Sequence, residues 1–204
     1  VGANIFFTSD THFYHNQDFL YAPRGCKSFE EMNEVIVERW NSVVKPGDFV
    51  YHLGDVLMND YDVNIINRLN GTIFLIRGNH DTDNKLSAIA ATGKLANSIF
   101  IHTSELIKFG KLSLFACHYP VLTANFDDKH FGKHVINLHG HTHQTGNWLF
   151  ADNPFVYHVG LDSHNNTPVS IEEIITDIRN RWNQLGQIPI NPSGIYHTYP
   201  SFPT

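Results

Sequence analysis

Five short clusters of metal-binding residue types punctuate the chain: Asp10-Thr11-His12, Gly54-Asp55, Gly78-Asn79-His80-Asp81, Cys117-His118-Tyr119 and Gly140-His141-Thr142-His143. Carboxylate oxygens, amide oxygens and imidazole nitrogens ligate hard and borderline divalent cations. Each cluster follows an apolar run that reads as a strand, so all five can meet at one point in space. In an extended segment Asp10 and His12 point to one face and can share a metal. Gly54 permits a tight turn that exposes Asp55, whose two oxygens can bridge two metals. Asn79 offers an unusual carbonyl ligand, and His80 beside it can donate a proton. His141 and His143, two apart after a glycine, would reach neighbouring metals if that segment is extended. Asp-x-His and Gly-Asp are common by chance. Gly-Asn-His-Asp and Gly-His-x-His are specific, and the lone His118 gains meaning from lying between them in order.

The elements that must position these residues follow from pattern. Asn4–Thr8, Phe49–Leu53, Thr72–Ile76, Lys111–Ala116 and Val135–Leu138 read as strands that deliver the five clusters. Ile99–Lys108 and Lys111–Ala116 read as a hairpin turning at Phe109-Gly110, and Phe155–Val159 as a further strand. Ser28-Phe-Glu-Glu31 and Ser170-Ile-Glu-Glu173 are capping boxes that open helices to about Val44 and Leu185. Val63–Leu69 and Lys85–Thr92 read as shorter helices, and Lys45–Asp48 as a turn. Strand–helix alternation followed by mostly strands and a final helix implies an α/β chain with two sheets and helices outside. Residues 1–186 are read as one domain. Residues 187–204, with four prolines and no charged residue, are read as a tail packed on the domain or trailing from it.

Composition excludes several classes. No apolar run approaches the ~20 residues that span a bilayer, and Val1–Phe7 lacks the basic start of a signal peptide, so a cytoplasmic protein with no membrane contact is expected. A net charge of −6 argues against broad nucleic-acid binding, which needs a basic face. It leaves a nucleotide substrate open, since bound dications reverse the local field. Cys26 and Cys117 form no CxxC pair; they read as reduced, buried thiols and not as a thiolate zinc site.

The ordered set Asp-x-His, Gly-Asp, Gly-Asn-His-Asp, His, Gly-His-x-His resembles the calcineurin-like metallophosphoesterase superfamily, with every element present between Asp10 and His143. The strings Ser9-Asp-Thr-His-Phe-Tyr-His15 and Tyr51-His-Leu-Gly-Asp55 look like its small bacterial or phage branch. The resemblance implies a four-layer α-β-β-α sandwich with two mixed sheets and a dinuclear metal site at strand C-terminal ends. It implies that Asp10, His12 and His143 hold one cation, that Asn79, His118 and His141 hold a second, and that Asp55 bridges them. It makes Mn²⁺ the usual activating ion, with Fe, Ni²⁺ or Zn²⁺ as alternatives. Two dications ~3.5–4 Å apart lower the pKa of a bridging water. The expected reaction is therefore attack of that hydroxide on a phosphoester, with His80 assisting the leaving group and Asp81 either orienting His80 or holding the loop. The substrate is expected to be a phosphodiester or small phosphomonoester. A non-catalytic scaffold of the same fold and a nuclease are the rival readings.

Several neighbours could line the pocket. Arg77 could contact phosphate through its planar fork or make an ion pair at a strand end. His15 and Tyr119 could touch substrate. His52 reads as a packed histidine close to the site. His130, Lys133 and His134 read as a solvated loop, and Asp162 as a turn residue or a support for the site.

Overall fold

Strands this apolar cannot leave either face to water, and they are paired and covered accordingly. In the computed structural model, which describes residues 2–58, 62–97, 101–123 and 130–186, β1 (Ile5–Thr8), β2 (Phe49–His52) and β3 (Thr72–Leu75) run parallel. The short β9 (Val169–Ser170) pairs antiparallel on the other edge of β1. A second sheet orders β4 (Ser104–Phe109), β5 (Leu112–Cys117), β6 (Val135–His139), β8 (Asn153–His158) and β7 (Trp148–Phe150). Here β5, β6 and β8 are parallel, and β4 and β7 are antiparallel edges. The α/β architecture with two mixed sheets expected from the sequence is the one that forms.

Successive side chains of a strand face opposite ways, and β1 shows what each face meets. After the single-turn α1 (Asp18–Tyr21) come two helices that cover one face: Phe6 packs with Val50, Ile73 and Leu75 against Met32, Ile36 and Trp40 of α2 (Phe29–Val43) and Leu86 and Ile89 of α3 (Asp83–Ala91). Phe7 turns to the second sheet, where Leu114, Ile136, Leu138 and Tyr157 meet it. Ile171, Ile174, Ile178 and Trp182 of α4 (Ile171–Gln184) close that second core through one apolar stripe. Ser170 and Glu173 cap α4 reciprocally, as expected. At α2 Ser28 accepts from the Glu31 amide, but the Glu31 carboxylate takes the Lys27 amide instead of that of Ser28, so the return half of that box is shifted by one residue.

Parallel pairing sends the C-terminal ends of β1, β2 and β3 to one edge, and those of β5 and β6 to the facing edge of the other sheet. The sheets are joined there by polar bonds: the His141 amide donates to Asp10 Oδ2 at 2.9 Å, and His118 Nδ1 lies 2.8 Å from the Leu53 carbonyl. The strand expected over Ile99–Lys108 is shorter as β4, and residues 99 and 100 lie outside the described residues, as does the 187–204 tail. Among the described residues no helix is long and apolar enough to cross a membrane.

Candidate metal centre

The backbone reaches the centre by a route that an extended reading does not anticipate. Asp10, His12, Asp55, His141 and His143 all have φ between +46° and +68°, the left-handed region that side chains rarely occupy. Neither Asp-x-His nor His-x-His is therefore an extended pair sharing one face; each alternates through left-handed residues to bring its side chains inward. Among the described residues, five of the eight non-glycine residues with positive φ are candidate ligands, so backbone strain concentrates where the chemistry would be. Gly54, at φ +98°, has no room for a Cβ, which would strike the Gly78 backbone; the second and third clusters are in direct backbone contact.

Ligand atoms converge in two overlapping groups. Asp10, His12 and His143 each place one ligand atom within 4.8 Å of the others, and so do Asp10, Asp55 and His118. His12 Nε2 lies 3.6 Å from both Asp10 Oδ1 and Asp55 Oδ2, and His143 Nε2 lies 3.8 Å from Asp10 Oδ1. His118 Nε2 sits 2.8 Å from Asn79 Oδ1 and 3.4 Å from Asp55 Oδ2. The His141 ring lies edge-on to His118 with centroids 5.1 Å apart. His80 stands at the rim, 46% exposed, with Nε2 4.0 Å from Asp55 Oδ2.

The surrounding bonds fix which atoms face inward. The His143 Nδ1 side bonds Asp162 Oδ2 at 2.8 Å, which leaves Nε2 for a cation. Asp162 is in turn gripped by both arms of Arg24, at 2.8 and 3.1 Å, and Arg24 also donates to the carbonyls of Asp10 and Thr11. Asp162 thus supports the site. Arg24, buried and at the centre of this network, carries no sequence signal beyond standing in a Pro-Arg-Gly loop. His52 is buried; its Nδ1 accepts from the Gly54 amide and its Nε2 faces Thr11 Oγ1.

Asp81 is buried and its carboxylate accepts the backbone amides of Asp55, Gly78 and Val56, at 2.8, 2.8 and 3.1 Å. It holds the loop, and it is neither solvated nor directed at the His80 ring. Arg77 pairs with Asp83 at 2.7 Å, at the start of α3. His134 corrects the solvated-loop reading: it is buried and stacked on Phe155 at 3.8 Å, with Trp182 beside it. His130 and Lys133 are exposed. His15 lies against His12, and Tyr119 against His141, with ring centroids 5.4 and 4.7 Å apart.

Burial alone would raise the Asp10 carboxyl, yet His12, His118 and His143 around it hold it well below the usual range; Asp55 is likewise lowered, chiefly by His118, against burial. Burial would depress His118 and His143, but Asp55 and Asp10 around the first and Asp162 and Asp10 around the second outweigh it and raise both. Among histidines that are not candidate ligands, burial pushes His52 and His139 down to about 4 and His158 to about 3. These three stay neutral in the fold, whereas the unfolded chain protonates them below about 6.5. The unfolded state then binds more protons, so stability falls as pH drops from about 6.5 to about 4. His118 and His143, with raised values, contribute fully below 6.5 and lose their share only as pH rises through those values, so they do not offset the acid limb. The melting temperature of metal-stripped protein should therefore decline steadily over that acid window; a constant or rising value would contradict the neutral assignment.

A pair of cations fits this donor set. Among the described residues, buried Asp10 Oδ1 and His12 Nε2 face each other with no hydrogen-bond partner, which is costly unless something cationic joins them. Oxygen and imidazole donors without thiolate suit Mn²⁺, Fe, Ni²⁺ or Zn²⁺. Cys117, beside His118, turns its Sγ to the Tyr119 carbonyl, and both cysteines are free.

Known proteins resemble this chain. The family model for the calcineurin-like phosphoesterase superfamily domain matches residues 4–153. The uncharacterized protein MJ1445 of Methanocaldococcus jannaschii is 30% identical over 183 residues, covering 84% of this chain and 89% of that protein. The Gene 66 protein of Mycobacterium phage D29 is 26% identical over 198 residues, covering 86% of this chain and 98% of its own. The crystal structure of AQ665, a protein of unknown function from Aquifex aeolicus, shares the fold with a TM-score of 0.63 at 23% identity, covering 86% of this chain and 99% of that one.

Proposed function

The chain belongs to the calcineurin-like phosphoesterase superfamily, and from that premise we propose that it is a phosphodiesterase dependent on two divalent cations, with Mn²⁺ the activating ion. The observation that carries this reading is the pair of ligand groups sharing Asp10, with Asp55 between His12 and His118. Asp10, His12 and His143 would hold one cation, Asn79, His118 and His141 the other, and Asp55 both. When bound, such a pair supplies Lewis acidity and a water of lowered pKa.

The chain's own residues do the rest. Asp162 and Arg24 keep His143 Nε2 aimed inward. Asp81 fixes the two loops that carry Asp55 and His80. His80, at the rim, donates a proton to the departing oxygen. Among the described residues, the cationic side chains near the site are engaged: Arg24 by Asp162, Arg77 by Asp83, and Lys85 Nζ by the His80 carbonyl at 3.0 Å. A singly charged diester needs less cationic compensation than a doubly charged monoester, and this supports the diester preference.

The test is hydrolysis of bis(4-nitrophenyl) phosphate and 4-nitrophenyl phosphate by protein stripped with EDTA and reloaded with Mn²⁺. Activity should vanish on stripping and return on reloading, with the larger kcat/KM on the diester. Two bound metals per chain with no turnover of either ester would replace this reading with that of a metal-binding scaffold.

A further inference from the structure

We propose that Phe19 and Tyr119 are the aromatic walls of a substrate cleft that recognises a phosphoester carrying a planar nucleobase, an inference that rests on the phosphodiesterase reading above. Phe19 is 69% exposed and Tyr119 49% exposed. Rings of this size are worth most when buried or when they cover a ligand. Tyr119 stands against rings of the metal centre, and Phe19 stands one ring away from it. Phe19 meets His15 edge-on, with centroids 5.6 Å apart and planes at 90°, and His15 lies against His12. Tyr119 meets His141 at 4.7 Å and His118 at 5.2 Å. His12 belongs to one ligand group and His118 to the other. Tyr119 therefore touches one half of the centre, and Phe19 stands one ring, that of His15, beyond the other, the two sides toward which the ester arms of a phosphodiester would extend.

Charge points the same way. Arg24, Arg77 and Lys85 are engaged with protein partners, and the chain carries a net charge of −6. Ester groups beyond the reacting phosphate then find π-faces at these two positions in place of cations. Stacking reads the presence of a base without demanding its identity.

The probes are adenosine 5′-monophosphate and ribose 5-phosphate, which carry the same phosphate and differ in the base. Calorimetric titration of Mn²⁺-loaded protein should give a Kd for the nucleotide roughly 5-fold lower or more. Phe19→Ala and Tyr119→Ala, both at exposed positions, should each erase part of that preference and leave ribose 5-phosphate unchanged. Tyr119→Phe and Phe19→Trp, which keep a π-face, should retain it. Equal Kd values for the two probes, or Ala variants that weaken both alike, would overturn the cleft. Hydrolysis of bis(4-nitrophenyl) phosphate by the same preparations tests the other reading separately: turnover with equal Kd values leaves the phosphodiesterase standing without the cleft. Base preference without turnover keeps the cleft and removes the phosphodiesterase.

Discussion

Replacing His80 with alanine lowers kcat by roughly 10²–10⁴-fold and leaves both cations bound. The two halves of that expectation come from different atoms of one residue. The His80 amide donates to Asp55 Oδ1 at 2.8 Å, and alanine keeps that donor. The imidazole is nearly half exposed, with its Nε2 4.0 Å from Asp55 Oδ2 and its ring edge-on to His12. It is therefore free to meet a substrate oxygen and contributes little to loop geometry. A proton donor matters most when the departing oxygen is basic. The loss should be largest for alkyl leaving groups and smallest for 4-nitrophenolate, whose charge needs no proton. Elemental analysis of metal content beside kcat for a graded series of leaving groups checks both halves. A uniform loss across the series, or loss of a cation, would take the donor role away from His80.

The sequence was legible where chemistry and pattern are local. Asp10, His12, Asp55, Asn79, His118, His141 and His143 stand directly after apolar runs, and parallel pairing of β1–β3 and of β5 with β6 is enough to bring them together. What stayed hidden depends on distance or on backbone choice. Arg24 meets Asp162 across 138 residues of chain, and no spacing rule connects them. The left-handed residues at the centre are stabilised by tertiary contacts against their own preference, so an extended reading of Asp10–His12 and His141–His143 was the local default and was wrong. His134 sits in a stretch whose composition is polar, but Phe155 and Trp182 offer it a stacking slot that only the folded α4 creates. The edge strands β7 and β9 are two or three residues long, too short for a periodic signal.

Asp81 is the residue whose neighbour in sequence most misleads about its work. It adjoins His80, yet one is at the rim and the other is 1% exposed. Its Oδ2 takes two amides, from Asp55 and Gly78, and its Oδ1 takes a third, from Val56. Asparagine has one acceptor oxygen, so Asp81→Asn must turn an NH₂ toward a backbone N–H and leave at least one buried donor unpaired. Bonds to a charged acceptor are worth about 1.5–3 kcal/mol each, and an orphaned buried donor costs about 1–3 kcal/mol. A loss of about 3 kcal/mol is expected, which for a chain of this size lowers the melting temperature by about 6–12 °C. Because these amides set the positions of Asp55 and the Gly78–His80 loop, cation affinity should also weaken, by roughly 10–100-fold. The measurement that separates cause from consequence is the melting temperature of metal-stripped protein. There the deficit must persist, since the amide bonds exist without cations. A stripped Asp81→Asn protein that melts with stripped wild type would mean that the carboxylate acts through the metals and does not hold the loops. His80→Ala should show the opposite pattern, with full stability and little turnover. The two variants together divide adjacent residues into one that builds the centre and one that uses it.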